Sequence, residues 1–157
     1  AADMGAERVR EYLLTHGVAY EITDHPLAYT AQRVAESEHI SGKQIAKPVI
    51  LLADDRFVMA VVPGHKHVDL DKVQSVLGCR EVRMAREEEF AGAFGDCEAG
   101  AEPPLGSLYE MRTILDTRVA SQHITFRGGS HTQTITMSLE DYREVVAAEV
   151  VDVAAGE

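Results

Sequence analysis

The 157 residues predict an α+β chain: one compact domain in which a mixed, mostly antiparallel and curved, barrel-like sheet is surrounded by helices. Three observations carry that expectation. Helical and strand patterns interleave without settling into a regular strand–helix alternation, hairpin signals stand towards both ends, and no repeat, low-complexity tract or linker interrupts the chain. The length suffices to bury a core without metal or disulfide staples.

Taken in order, Glu7 to His16 forms a helix with Val9, Tyr12, Leu13 and His16 on one stripe and Gly17 as its stop. Val18 to Ile22 is a short strand, ended by Asp24-His25-Pro26. Thr30 is an N-cap for a helix through Glu36, with Ala31, Val34 and Ala35 inward. Lys47 then opens an apolar strand that runs from Val49 to the Asp54-Asp55-Arg56 turn, and Phe57 to Val62 returns antiparallel to it before Pro63-Gly64. Asp69 caps a helix that buries Leu70, Val73, Val76 and Leu77 and stops at Gly78. Glu81 to Met84 is a strand, and Arg86 to Phe94 a short helix stopping at Gly95. The stretch from Gly100 to Gly106 is irregular, because two prolines and two glycines forbid helix and regular strand alike. Met111 to Asp116 and Gln122 to Arg127 are strands, and Gly128-Gly129-Ser130-His131 turns into Thr132 to Met137. Ser138 to Asp141 is a capping box that opens a last helix, through about Ala148.

The net charge of −11 argues against broad, non-specific nucleic-acid binding. Residues 1–80 carry nine Lys/Arg against eleven Asp/Glu, and residues 81–157 carry six against fifteen. All four lysines (Lys43, Lys47, Lys66, Lys72) lie in the first half, which leaves room for a local cationic mouth on an acidic body. No apolar run is long enough to span a bilayer, and the N-terminal residues lack a basic region and an apolar core, so a cytoplasmic location is expected. Cys79 and Cys97 stand without a nearby partner motif and are expected as free thiols.

No Gly-rich nucleotide motif, zinc-protease motif or nucleophile elbow is present. His65 and His67 share a face if extended, but no Cys or carboxylate completes a local set, so no metal and no cofactor are expected. The Glu87-Glu88-Glu89 run is expected to be solvated at a helix start, and nothing beside Cys97 would make it a nucleophile. Three features remain that can converge. Lys47, on the face of Val49, Leu51 and Ala53, is either a cation at the mouth of an apolar pocket or a lysine snorkelling to water. The Gly100–Gly106 loop and the Gly129-Ser130-His131 turn either serve structure alone or direct free N–H groups at a carbonyl oxygen or phosphate.

Ala46-Lys47-Pro48-Val49-Ile50-Leu51, the Gly100-xxx-Pro104-Leu105-Gly106 loop and Gly129-Ser130-His131 before Ile135-Thr136-Met137 occur together in one order and spacing. In this the chain, over residues 7 to 152, resembles the YbaK/ProX-type aminoacyl-tRNA deacylases, relatives of the editing domain of bacterial prolyl-tRNA synthetases. Asp24-His25-Pro26 with Thr30, and Val68-Asp69-Leu70, are similar too. The resemblance implies hydrolysis of the ester of a mischarged tRNA, a small amino acid on proline tRNA, in trans. It implies Lys47 as the functional lysine, Gly100, Pro104 and Gly106 as the loop that positions the tRNA 3′ end and ester carbonyl, Gly129, Ser130 and His131 as the pocket-lining turn, and Thr30 as a candidate lining residue of the side-chain pocket. Pro48 departs from the pattern, since a small hydroxyl residue usually follows the lysine. A non-catalytic aminoacyl- or nucleotide-binding module of the same fold, or a hydrolase of another small acyl ester, are the alternatives. The acidic body implies contact mainly with the acceptor end, through a local patch around Lys43, Lys47 and Lys66, weak and strongly salt-dependent, or presentation of the tRNA by a synthetase or elongation factor.

Overall fold

The computed structural model describes residues 2–24 and 45–156. Thr30 and the helix expected after it lie outside the described residues. Eight strands are described: β1 (Tyr20–Asp24), β2 (Ala46–Ala53), β3 (Arg56–Pro63), β4 (Val82–Met84), β5 (Arg112–Asp116), β6 (His123–Arg127), β7 (Gln133–Ser138) and β8 (Glu149–Val151). Around them lie the helices α1 (Ala2–Thr15), α2 (Leu70–Leu77), α3 (Glu87–Phe90) and α4 (Leu139–Val146), with 3₁₀ turns at Ala91–Phe94 and Gly106–Tyr109.

The strands form a three-stranded sheet ordered β1-β7-β6 and a five-stranded sheet ordered β4-β2-β3-β5-β8. The β3–β5 and β5–β8 pairs are parallel and the other described pairs antiparallel, so the sheet is mixed and mostly antiparallel, as the chain's pattern predicts. Ala46, Ile50, Met59, Val61 and Leu115 of the larger sheet meet Ile124, Phe126, Ile135 and Met137 of the smaller one in the main core, closed by Val9 and Leu13 of α1 and Tyr142 and Val146 of α4. The period of two sends Leu51, Ala53, Val58, Ala60 and Val62 to the other face, where Val73 of α2 and Val153 cover them. The sheets also touch edge to edge, through one parallel bridge between Ile45 and Thr125. This curls the smaller sheet over the larger, but the described strands do not close into a barrel.

Local chemistry accounts for most boundaries. Asp54 and Asp55 both take positive φ (+47° and +69°), the turn geometry that matches the twist of the β2–β3 hairpin. The Asp69 carboxylate caps α2 by accepting from the backbone N–H groups of Asp71 and Lys72, and Gly78 ends the helix at φ +65°. Ser138 Oγ accepts from Asp141 N at the start of α4.

Three expectations need correction. Val76 is 40% exposed, because Val73 and not Val76 faces the sheet. The helix expected over Arg86–Phe94 changes at Ala91 into a 3₁₀ turn. The last helix stops at Val146, where Ala147 turns left-handed (φ +52°), and β8 follows, a three-residue strand too short to show as a pattern.

Candidate active site

Lys47 stands on β2 two residues past the Ile45–Thr125 bridge, and Arg127 stands on β6 two residues past the same bridge. Bridge partners share a face, so alternation puts both cations on the side turned away from the main core. Lys47 is half-buried, and that burial lowers its pKa below the ordinary lysine value. No carboxylate or carbonyl among the described residues holds its ammonium. Pro48 fits here because the β4 ladder begins only at Leu51, leaving that side of β2 without a described partner strand at Pro48.

Across from β2, the loop before Pro104 and the β6–β7 turn are stitched together. Gly129 N donates to Ala101 O at 2.9 Å, and Glu98 N to Gly129 O at 2.9 Å. His131 N donates to a Glu98 carboxylate oxygen at 3.1 Å, and His131 Nε2 to Ala99 O at 2.6 Å. A carbonyl only accepts, so Nε2 carries the ring proton. Arg127 Nη1 completes the set with a 2.6 Å bond to Gly100 O. Gly100 sits at φ +84°, and a Cβ there would stand 3.4 Å from His131 Cε1, so loop and ring are in contact. Behind the loop, Pro103 and Pro104 are buried, and the Tyr142 hydroxyl donates to Pro104 O, tying the loop to α4.

A family described as the aminoacyl-tRNA editing domain matches residues 25–145. The chain belongs to that family. Relatives of this editing domain include a proline–tRNA ligase of Thermosipho africanus, 34% identical over 91 residues, 58% of this chain and 16% of that protein. Another is proline–tRNA ligase 1 of Streptomyces avermitilis, 30% identical over 142 residues, 85% of this chain and 25% of that protein. The chain thus spans a quarter or less of the length of these ligases. Among solved structures, a candidate trans-editing enzyme for prolyl tRNA synthetase superposes with a TM-score of 0.86 at 23% identity, covering 97% of this chain and 98% of its own. The hypothetical protein APE2540 gives 0.84 at 22% identity, covering 94% and 99%. At such identities these two show the fold.

Within the editing domain, the residues singled out by sequence divide. Gly100, Gly129 and His131 come together in the stitched loop and turn, and Pro104 supports them from below. Ser130 is buried and bonds within its own turn, accepting from Thr132 N at 3.2 Å. Gly106 is there for packing: a Cβ would stand 2.0 Å from Thr113 Oγ1 and 2.7 Å from Met111 O. Thr30 lies outside the described residues.

Of the two readings left open for these loops, the structural one holds for four amides. The amides of Gly100, Ala101, Gly129 and His131 donate respectively to Glu102 Oε2, Glu98 O, Ala101 O and Glu98 Oε1. What the site retains is cationic side chains. Sequence reasoning missed Arg127, Glu98 and Glu102. The one available signal was an arginine at an alternating position of an otherwise apolar strand end.

Cys97 is a poor nucleophile, since burial pushes its thiol up to about 11, only partly offset by the hydrogen bond with the Tyr109 hydroxyl. Glu89 is more than solvated: it grips Arg83 through both oxygens at 2.8 and 2.7 Å and accepts from Arg86 N. Chemically, the arrangement offers a half-buried ammonium on the same sheet face as Arg127, which is bonded to the Gly100 loop, and such a cation can polarise a carbonyl.

Proposed function

We propose that this editing domain is a cofactor-free, trans-acting aminoacyl-tRNA deacylase of the cytoplasm, acting as a single domain on proline tRNA that carries a small non-cognate amino acid. The observation that carries the reading is Lys47: a half-buried ammonium with no described anionic partner, in a chain of the editing family. Similarity to proline–tRNA ligases supports the choice of tRNA.

An aminoacyl ester is already activated, so its hydrolysis needs a held carbonyl and a placed water more than a strong nucleophile. In this reading the Lys47 ammonium stabilises the carbonyl oxygen as it gains charge. Water adds to the carbonyl carbon, the bond to the ribose oxygen breaks, and the leaving oxygen takes a proton to regenerate the ribose hydroxyl. A neighbouring ribose hydroxyl of the substrate can relay that proton. Gly100, Pro104 and the Gly129–His131 turn hold the ester against the lysine, and Thr30 contributes to the side-chain pocket. Burial withdraws water from the ammonium and so strengthens its pull on the carbonyl. A pocket of fixed size separates amino acids by about 1–3 kcal/mol per methylene, which favours small residues as targets.

The test is release of labelled amino acid from proline tRNA charged with Ala, Ser, Cys or Thr, with Lys47→Ala alongside. Rapid release of one or two of these, reduced about 10²-fold or more in the variant, is expected. No release from any of them, or an unimpaired variant, overturns the deacylase.

A further inference from the structure

Arg127 is nine-tenths buried, and one of its nitrogens, Nη1, is committed to Gly100 O at 2.6 Å. The other two, Nε and Nη2, are buried with no hydrogen-bond partner among the described residues. These two N–H groups form the side-on edge of the guanidinium, the parallel pair that takes a carboxylate or phosphate through two oxygens. A charged fork left unpaired inside a protein is costly, and a neutral residue would hold the same strand without that cost. The Nη1 bond fastens the guanidinium to Gly100, which is itself exposed, so the group that carries the fork is tied to a loop at the surface. It shares the sheet face of Lys47, and the neighbouring loop amides are already bonded within the protein. Glu102 is the acidic group whose field reaches Arg127, but its carboxylate is bonded to Gly100 N and leaves the fork empty.

We propose that the Nε/Nη2 edge of Arg127 is the site's oxyanion-binding fork and that its ligand is the phosphodiester on the 5′ side of the terminal adenosine of the tRNA. This rests on the deacylase reading and deepens it. The carboxyl of the charged amino acid is esterified and carries no charge, so the phosphodiester is the nearest anion that an aminoacyl-tRNA brings to the site. The Nη1–Gly100 bond then couples phosphate capture to the loop that holds the ester. Lys47 acts on the carbonyl, and Arg127 sets the distance of the nucleotide from it, as a positioning residue.

The experiment compares two small substrates, 3′-aminoacyl-adenosine and 3′-aminoacyl-adenosine 5′-monophosphate, on the full chain and on Arg127→Lys and Arg127→Gln. For the wild type, the 5′-phosphate should raise kcat/KM at least tenfold, mainly through KM. Arg127→Gln should bring that ratio close to one, and Arg127→Lys, which keeps the charge and loses the fork, should fall between. A wild type indifferent to the phosphate, or a ratio that survives in Arg127→Gln while both substrates slow equally, overturns the proposal and leaves Arg127 as a loop bolt only. The free amino acid serves as the second arm. If Arg127→Gln abolishes its inhibition but not the phosphate preference, the fork takes a carboxylate and the phosphate assignment is wrong. Should the wild type hydrolyse neither substrate, the deacylase reading fails by itself. Binding of adenosine 5′-monophosphate against adenosine, on wild type and Arg127→Gln, then decides the fork independently: tighter binding lost in the variant upholds it, equal binding refutes it.

Discussion

At Lys47 two requirements pull against each other. The proposed deacylation wants a protonated ammonium, whereas burial disfavours charge and lowers the pKa from the ordinary lysine value of 10.5. The sign follows directly: enzymatic deacylation, corrected for spontaneous ester hydrolysis, should fall as pH rises through a midpoint below 10.5, where Lys47 loses its proton. Lys47→Arg, charged throughout that range, should lack this alkaline limb whatever its absolute rate, and pH–rate profiles of the two proteins check it. Gly106 offers a second residue-scale test. A methyl group placed 2.0 Å from Thr113 Oγ1 and 2.7 Å from a backbone oxygen cannot be accommodated without movement. Gly106→Ala should therefore cost about 1–3 kcal/mol in denaturant unfolding. Gly100→Ala, with an ordinary 3.4 Å contact but a φ of +84°, should cost about 1–2 kcal/mol from backbone strain. Conformation is what glycine supplies at Gly100, and space is what it supplies at Gly106.

Among the elements, the tie between α4 and the proline loop is the one that bears on function. Tyr142 is fully buried and donates its hydroxyl to the carbonyl of Pro104, itself a buried residue. Tyr142→Phe should cost about 1–3 kcal/mol for the carbonyl left unpaired. In the proposed deacylase it should also slow turnover by loosening the proline loop, which unfolding and kinetics on one preparation can separate. A comparable anchor holds β5 to the C-terminal segment. Asp116, with no exposure, accepts from the backbone N–H groups of Val153 and Ala154 and from Arg118. Asp116→Ala strands those donors in the interior and should cost about 3–5 kcal/mol, with the β5–β8 amides losing hydrogen-exchange protection first.

For the whole molecule, the acidic body and its few inward cations set how nucleic acid is met. A net charge of −11 repels tRNA at long range, so binding should depend on the acceptor end and weaken as salt rises, which titration of tRNA at several ionic strengths measures. Most of the described elements, β8 excepted, were legible in the chain because helix caps, left-handed stops, hairpin turns and strand alternation are settled within a few residues. Asp69, Gly78, Asp54-Asp55 and Ser138 each act where local chemistry puts them. Lys47, Gly100 and His131 were legible as candidates because their types and spacing recur in a family. What they touch was not. The bond from Arg127 to Gly100 spans 27 residues, and that from His131 to Ala99 spans 32. Such contacts exist only once the loop has been laid against the end of β6 and its turn, and the amides of Gly129 and His131 find their acceptors, Ala101 O and the Glu98 carboxylate, across similar distances in the chain. Sequence alone therefore determined the family and most of the elements, and singled out the lysine as a candidate, because these rest on local pattern. Tertiary structure decided that four loop amides are bonded within the protein while two nitrogens of Arg127 have no described partner, because which polar groups find partners is settled by residues distant in the chain.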